Sequence, residues 1–130
     1  MQTFLPYPDF KKSLQALDYQ RLGKQRVEAY QIICAIKYGG GWQHHPAVKM
    51  WRGHVNALKL YYNLSLDEWV KRGYRNNMRE MPIRGKIAYP QWFGRNCFHA
   101  SHRSNLLRKD LNFYGQYKWS EPPDLPYLWG

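Results

Sequence analysis

Leu17-Asp-Tyr-Gln-Arg-Leu-Gly-Lys-Gln-Arg-Val-Glu-Ala-Tyr-Gln-Ile-Ile33 is the stretch on which the fold turns. Asp18 is an N-cap residue. Leu22, Ala29, Ile33 and, just beyond, Ile36 recur at helical spacing until Gly39-Gly-Gly41 stops the run. This predicts a first long helix, in which Gly23 costs up to about 1 kcal/mol relative to alanine. The same stretch carries a lone acid, Glu28, among Arg21, Lys24 and Arg26. At about 100° per residue, Arg21, Lys24, Glu28 and Gln31 fall on one polar stripe opposite the apolar face. Cations near a carboxylate favour its charged form, so Glu28 is expected to stay ionised. The stripe can line one side of a groove. It reads equally as an exposed Lys24–Glu28 ion pair worth a few tenths of a kcal/mol. Arg26 projects toward the apolar side, so it either snorkels to water or is buried with a partner.

Working outward, the first dozen residues hold Pro6, Pro8 and several aromatics and predict an ordered arm rather than a helix. His45-Pro46 opens a short helical segment ending near Gly53, with proline suited to the first turn. A third helix follows, with Val55, Leu58, Tyr62, Ser65 and Trp69 on one face up to Lys71-Arg72-Gly73. Ser65-Leu-Asp-Glu68 has the capping-box pattern, yet the apolar face keeps its phase, which favours one continuous helix. Tyr74 to Phe98, punctuated by Pro82, Gly85, Pro90 and Gly94, is expected to be a basic, aromatic loop, and Ser101 to Leu111 a further short helix. The expected architecture is all-α. One domain over 1–130 has three main helices, an ordered N-terminal arm, irregular basic loops and an aromatic C-terminal tail, around a core of Leu22, Ile33, Ile36, Leu58, Tyr62 and Trp69.

The charge balance names a class of partner. With 20 Lys and Arg against 9 Asp and Glu, a formal net charge of +11, the chain should attract phosphate backbones. Its basic residues are scattered from Lys11 to Lys118, not gathered on one amphipathic helix, and no run approaches membrane-spanning length, so no membrane partner is implied. The start lacks the basic and apolar regions of a signal segment. Cys34 and Cys97 have no CxxC or Cys/His metal spacing and read as reduced, packed thiols. A monomeric, cytoplasmic protein is expected, with no protein partner.

Two further constellations bear on chemistry. His44, His45 and His54 make a weak metal signature. No metal or other cofactor is expected, and His54 reads first as a packed structural residue and second as a donor to phosphate or an unstacked nucleotide. Ser101-His-Arg-Ser-Asn-Leu-Leu-Arg-Lys109 places Ser101, Arg103 and Ser104 near a helix start and Arg108 and Lys109 at its end, as phosphate contacts. Tyr114, Tyr117 or Trp119 of the tail could wedge against an unstacked base. Ordinary surface charge and packed aromatics explain the same residues, since 17% of the chain is aromatic.

The order of these motifs resembles the pyrimidine-dimer DNA glycosylases of phage and chloroviral type, historically called endonuclease V, and is most similar to small bacterial members of that group. Leu22 and Glu28 lie on a first helix. Gly53-His54-Val55 heads a long helix ending Lys71-Arg72-Gly73-Tyr74, and His99-Ala-Ser101 and Phe113-Tyr114-Gly115 follow. The resemblance implies a compact all-α enzyme that flips a nucleotide, cleaves a glycosidic bond through an imine and then breaks the strand beside the abasic site. It implies an N-terminal α-amine as nucleophile and Glu28 as the key acid, with Arg21 where the family has a histidine near the DNA and His54 at the histidine of the Gly-His-Val motif; His54, His99 and Ser101 are read as candidate DNA contacts.

An α-amine suits that role, because such amines titrate about two to three units below lysine and are correspondingly richer in the free form at neutral pH. Gln2 disfavours removal of Met1, so Met1 itself would carry the nucleophile, with Lys24 as second choice. The family's arginine before its glutamate is Val27 here, leaving Arg26 or Arg21 to substitute, and the arm is longer by several residues. The leading function is a DNA glycosylase with abasic-site lyase activity on damaged pyrimidines, cyclobutane dimers first, in double-stranded DNA. The alternatives are a glycosylase for another modified base and a non-catalytic module that binds distorted DNA; RNA is also compatible with stacking rings and a basic groove.

Overall fold

Asp18 caps the long helix as its sequence position requires, its carboxylate accepting from the Arg21 backbone N–H, and the helix ends at Gly39, whose φ of 76° closes the last turn. The computed structural model describes residues 1–130. Its helices are α1 (Phe10–Ala16), α2 (Tyr19–Tyr38), α3 (Pro46–Trp51), α4 (Val55–Lys71), α5 (Asn96–Lys109) and α6 (Leu111–Tyr114), with a 3-10 turn at Gly115–Tyr117 and no strand. No helix is long and apolar enough to cross a membrane.

The architecture is all-α, as the periodicity implies, with α2 packed on α4, α1 against α4 and α3 against α2. α4 runs unbroken through Ser65, whose hydroxyl donates to the Tyr62 carbonyl at 2.6 Å and so caps nothing. Leu22, Ile33, Leu58 and Tyr62 are buried in the core, whereas Ile36 and Trp69 lie at its edge. Two short helices, α1 and α6, and the start of α5 differ from expectation. The prolines end at Pro8, so Asp9 can accept from Lys12 N–H at 2.8 Å and start α1 inside the expected arm. α5 begins at Asn96, directly after the Gly94 turn, because Phe98 and His99 are drawn into the core.

The segment from Tyr74 to Arg95 has no regular structure but is laced to α4 by side chains. Trp69 Nε1 donates to the Arg75 carbonyl at 2.9 Å, the Tyr62 hydroxyl to Arg79 at 2.7 Å, and Asn56 Nδ2 to Arg84 and Lys86 at 2.9 and 3.1 Å. Asn63 pairs with both backbone groups of Met81 at 2.8 Å. These contacts satisfy backbone groups that have no ladder of their own. Both cysteines are free, and Cys97 is exposed rather than packed because it lies in the first turn of α5, on the side away from buried Phe98.

The N-terminal arm is the main tertiary feature. Thr3, Phe4 and Leu5 are buried. Trp51 Nε1 donates to Thr3 Oγ1 at 3.1 Å, Phe4 N–H to Gln25 Oε1 at 3.0 Å, and Leu5 N–H to His102 Nδ1 at 2.9 Å. The arm thereby folds back over α2 and brings its first residues to the middle of that helix.

Candidate active site

Residues Gln20, Arg21, Lys24, Gln25 and Glu28 of α2 form one wall of a cleft of about 530 Å³, closed by Gln2 and Phe4 of the arm and Lys109 at the end of α5. The i, i+3, i+4 spacing on α2 produces that wall. Glu28 is half-buried, and none of the chain's three ion pairs involves it. Burial raises its carboxyl above the ordinary value; the N-terminal ammonium opposes this most strongly, followed by the Gln2 backbone amide, Lys24 and Lys109. Desolvation therefore outweighs the cations, reversing the expected balance. The cationic ring also has a different membership, with Lys109 and the N-terminus in place of Arg26.

Of the two alternatives for Arg26, the structure shows the arginine with partners, away from the cleft. Its guanidinium lies 4.1 Å over the Trp69 ring and NH1 donates to Asn76 Oδ1 at 3.1 Å, while its buried Nε has no partner. The turn of α2 aims it at the loop after α4, away from Glu28, and burial lowers its pKa. Arg21 stays at the cleft, steadied by Asp18 at 3.2 Å. Lys24 stands exposed on the rim. Lys109 faces them; its pKa is lowered by burial first and then by Arg21, Lys24 and Arg108.

Of the remaining anticipated DNA contacts, most are consumed internally. Ser101 and Ser104 are buried, donating to the carbonyls of Phe98 and Pro122 and accepting from Leu128 and Leu125 N–H. Arg103 makes a two-pronged pair with Glu121 at 2.9 Å and donates to the Pro6 carbonyl at 2.7 Å. This face of α5 holds the C-terminal tail and the arm, so it has nothing left for phosphate. His99 is buried against Leu5 and Gly94. His54 Nδ1 bonds the Ala88 carbonyl at 3.1 Å, the structural alternative, and no group of three His, Cys, Asp or Glu side chains is arranged to hold a metal. Tyr114 is fully buried with its hydroxyl on Asp18, and Trp119 is pinned by Tyr7 at 3.0 Å and stacked on Tyr117, so neither ring is free to wedge. Arg108 remains exposed beside the cleft.

Gln2, Phe4, Gln20 and Gln25 are cleft residues that sequence reasoning passed over. Gln25 alone left a trace, an uncharged polar residue one turn before Glu28 on the border of the apolar face.

An all-α, strongly basic protein whose half-buried carboxylate faces its own N-terminal residues across a cationic cleft has the make-up of an enzyme that works on a polyanion. The family model described as pyrimidine dimer DNA glycosylase matches residues 1–81, and the chain belongs to that family of DNA repair enzymes. The match spans the arm and α1 to α4, hence every cleft residue except Lys109. No curated protein and no solved structure matches the chain.

Proposed function

We propose that the chain is a DNA glycosylase with abasic-site lyase activity, acting as a monomer on cyclobutane pyrimidine dimers in duplex DNA, with the Met1 α-amine as nucleophile and Glu28 as the catalytic carboxylate. The observation that carries this reading is that Gln2, the residue next to the N-terminal amine, and Glu28 line one cleft, with the ammonium the foremost charge favouring that carboxylate. The longer arm does not carry the amine away, because Gln25, Trp51 and His102 fold it back.

The neutral amine attacks C1′ of the damaged nucleotide, and the base leaves with the electron pair of the glycosidic bond and takes up a proton. The amine's two protons offset those taken up by the departing base and by the ring oxygen O4′, as the C1′–O4′ bond breaks and the nitrogen's electron pair forms the imine with C1′. Glu28, as carboxylate, offsets the positive charge that builds on the sugar. It then removes a proton from C2′; those electrons form the C2′–C3′ double bond and expel the 3′ phosphate. Water hydrolyses the imine and returns the amine. Lys24, Lys109 and Arg21 hold the flanking phosphates.

Borohydride trapping on a thymine-dimer duplex, an abasic duplex and an intact duplex, with mass spectrometry of the adducted peptide, tests this. The expected result is an adduct through Met1 on the first two. An adduct on Lys109 or Lys24 would move the nucleophile within the cleft, trapping on the abasic duplex alone would leave the base substrate open, and no adduct would favour a binding module.

A further inference from the structure

We infer that Gln25 is a positioning residue for this reaction, holding the Glu28 carboxylate in register with the arm that bears the α-amine. The inference rests on the roles proposed for Glu28 and Met1. Gln25 is 1% exposed, at a place on α2 flanked by the core residues Leu22 and Ala29. A buried primary amide costs stability unless its hydrogen-bonding groups are satisfied, and packing alone would be served by methionine or leucine.

Here the amide's capacity is fully used. Oε1 accepts from Phe4 N–H at 3.0 Å and faces the Tyr61 hydroxyl at 2.7 Å, whose single proton it shares with the Phe4 carbonyl at 2.8 Å. Nε2 donates to the Gln2 carbonyl at 3.0 Å and to Glu28 Oε2 at 3.3 Å. Two donors and two acceptor directions meet four groups of the right kind. Rotating the amide by half a turn would set N–H against N–H and oxygen against carboxylate, so only one orientation survives.

Of these partners, three belong to the arm or to the residue that pins it, and the fourth is the carboxylate. A displacement of about 1 Å between reacting groups can cost about 100-fold in rate. The amide suppresses that displacement by tying Gln2, the residue next to the amine, and Glu28 to the same nitrogen. Tyr61 anchors the other end, buried and with its hydroxyl pushed up well beyond its usual range, so it stays a neutral donor.

Gln25→Met keeps the volume and removes all four contacts. Gln25→Glu keeps the acceptor toward Phe4 and Tyr61 and replaces the donor toward Gln2 and Glu28 with oxygen, so the arm retains its anchor if the methionine variant does not fold. The measurements are single-turnover cleavage of an abasic duplex from pH 4 to 9, borohydride trapping, duplex affinity and thermal unfolding. Expected for both is affinity within about threefold of the parent, cleavage lowered about 10- to 100-fold, and an acid limb moved to higher pH. In the first variant the carboxylate loses a donor; in the second, two adjacent carboxyls give up their last proton late. An ordinary core residue would lower the unfolding temperature and leave the acid limb in place, and that result in a folded variant overturns the inference. A parent protein that neither traps nor cleaves overturns the glycosylase-lyase reading itself, and the positioning role with it.

Discussion

His99 and His102 grip opposite sides of one residue, Leu5, through the same ring atom in different tautomers. His102 Nδ1 accepts the Leu5 N–H at 2.9 Å and its Nε2–H donates to the Leu128 carbonyl at 3.0 Å; His99 accepts from Gly94 at Nε2 and donates from Nδ1 to the Leu5 carbonyl at 2.7 Å. Each ring is neutral by construction, since a second ring proton would face an N–H. This clamp seats the arm that enters the cleft.

Acid should loosen the clamp. Burial holds His102 down to about 3 and also lowers His99, so between an unfolded histidine's value near 6.5 and about 3 the unfolded chain binds protons that the folded chain refuses. Stability from these groups is complete above about pH 6.5 and is lost progressively as pH falls. Denaturant titrations from pH 7 to 4 should lose on the order of a few kcal/mol, and His102→Gln should flatten that slope. An equally steep slope in the variant would remove His102 as its source.

Glu28 carries the opposite sign. Its raised carboxyl makes the ionised form a cost to folding that appears as pH rises through the folded value and is absent well below it. Glu28→Gln should therefore unfold at a higher temperature than the parent at pH 7, with the gap closing toward pH 4. The same variant should bind duplex DNA normally and lose strand cleavage by about 100-fold or more. The parent's cleavage should fade in acid at a pH above the usual carboxylate range.

The cations separate into two groups by salt dependence. Lys24→Ala and Lys109→Ala should each weaken duplex binding and lower the slope of log affinity against log salt by about one. Arg26→Met should leave that slope alone and cost roughly 1–2 kcal/mol of stability, from the contacts with Trp69 and Asn76. Anisotropy titrations at several salt concentrations distinguish them, and a reduced slope for Arg26→Met would return that residue to the DNA interface.

Arg103 belongs with the structural cations. Its pair with Glu121 is mostly buried, and its third contact holds the Pro6 carbonyl. Arg103→Ala should destabilise the fold by roughly 1–3 kcal/mol, since it leaves a carboxylate and a carbonyl without their donor, while leaving the salt slope unchanged. Thermal unfolding and the same anisotropy series provide the check.

Sequence alone determined the helices α2, α3 and α4, because caps and periodicity are local: Asp18, Gly39 and the recurrence of Leu22, Ala29 and Ile33 need no other part of the chain. It also determined the basic character and the singular position of Glu28 on a polar stripe. Which groups meet that stripe was decided by tertiary structure. Periodicity tells which face of a helix is apolar but not which distant element covers its borders, so Arg26 went to Trp69, Lys109 arrived from the end of α5, and the arm returned under Gln25. For the same reason Ser101, Arg103, Ser104 and Tyr114, polar enough to read as surface, became interior once the tail supplied their partners. The free energy of a buried polar group depends on the partner that satisfies it, and that partner is set by the packed fold.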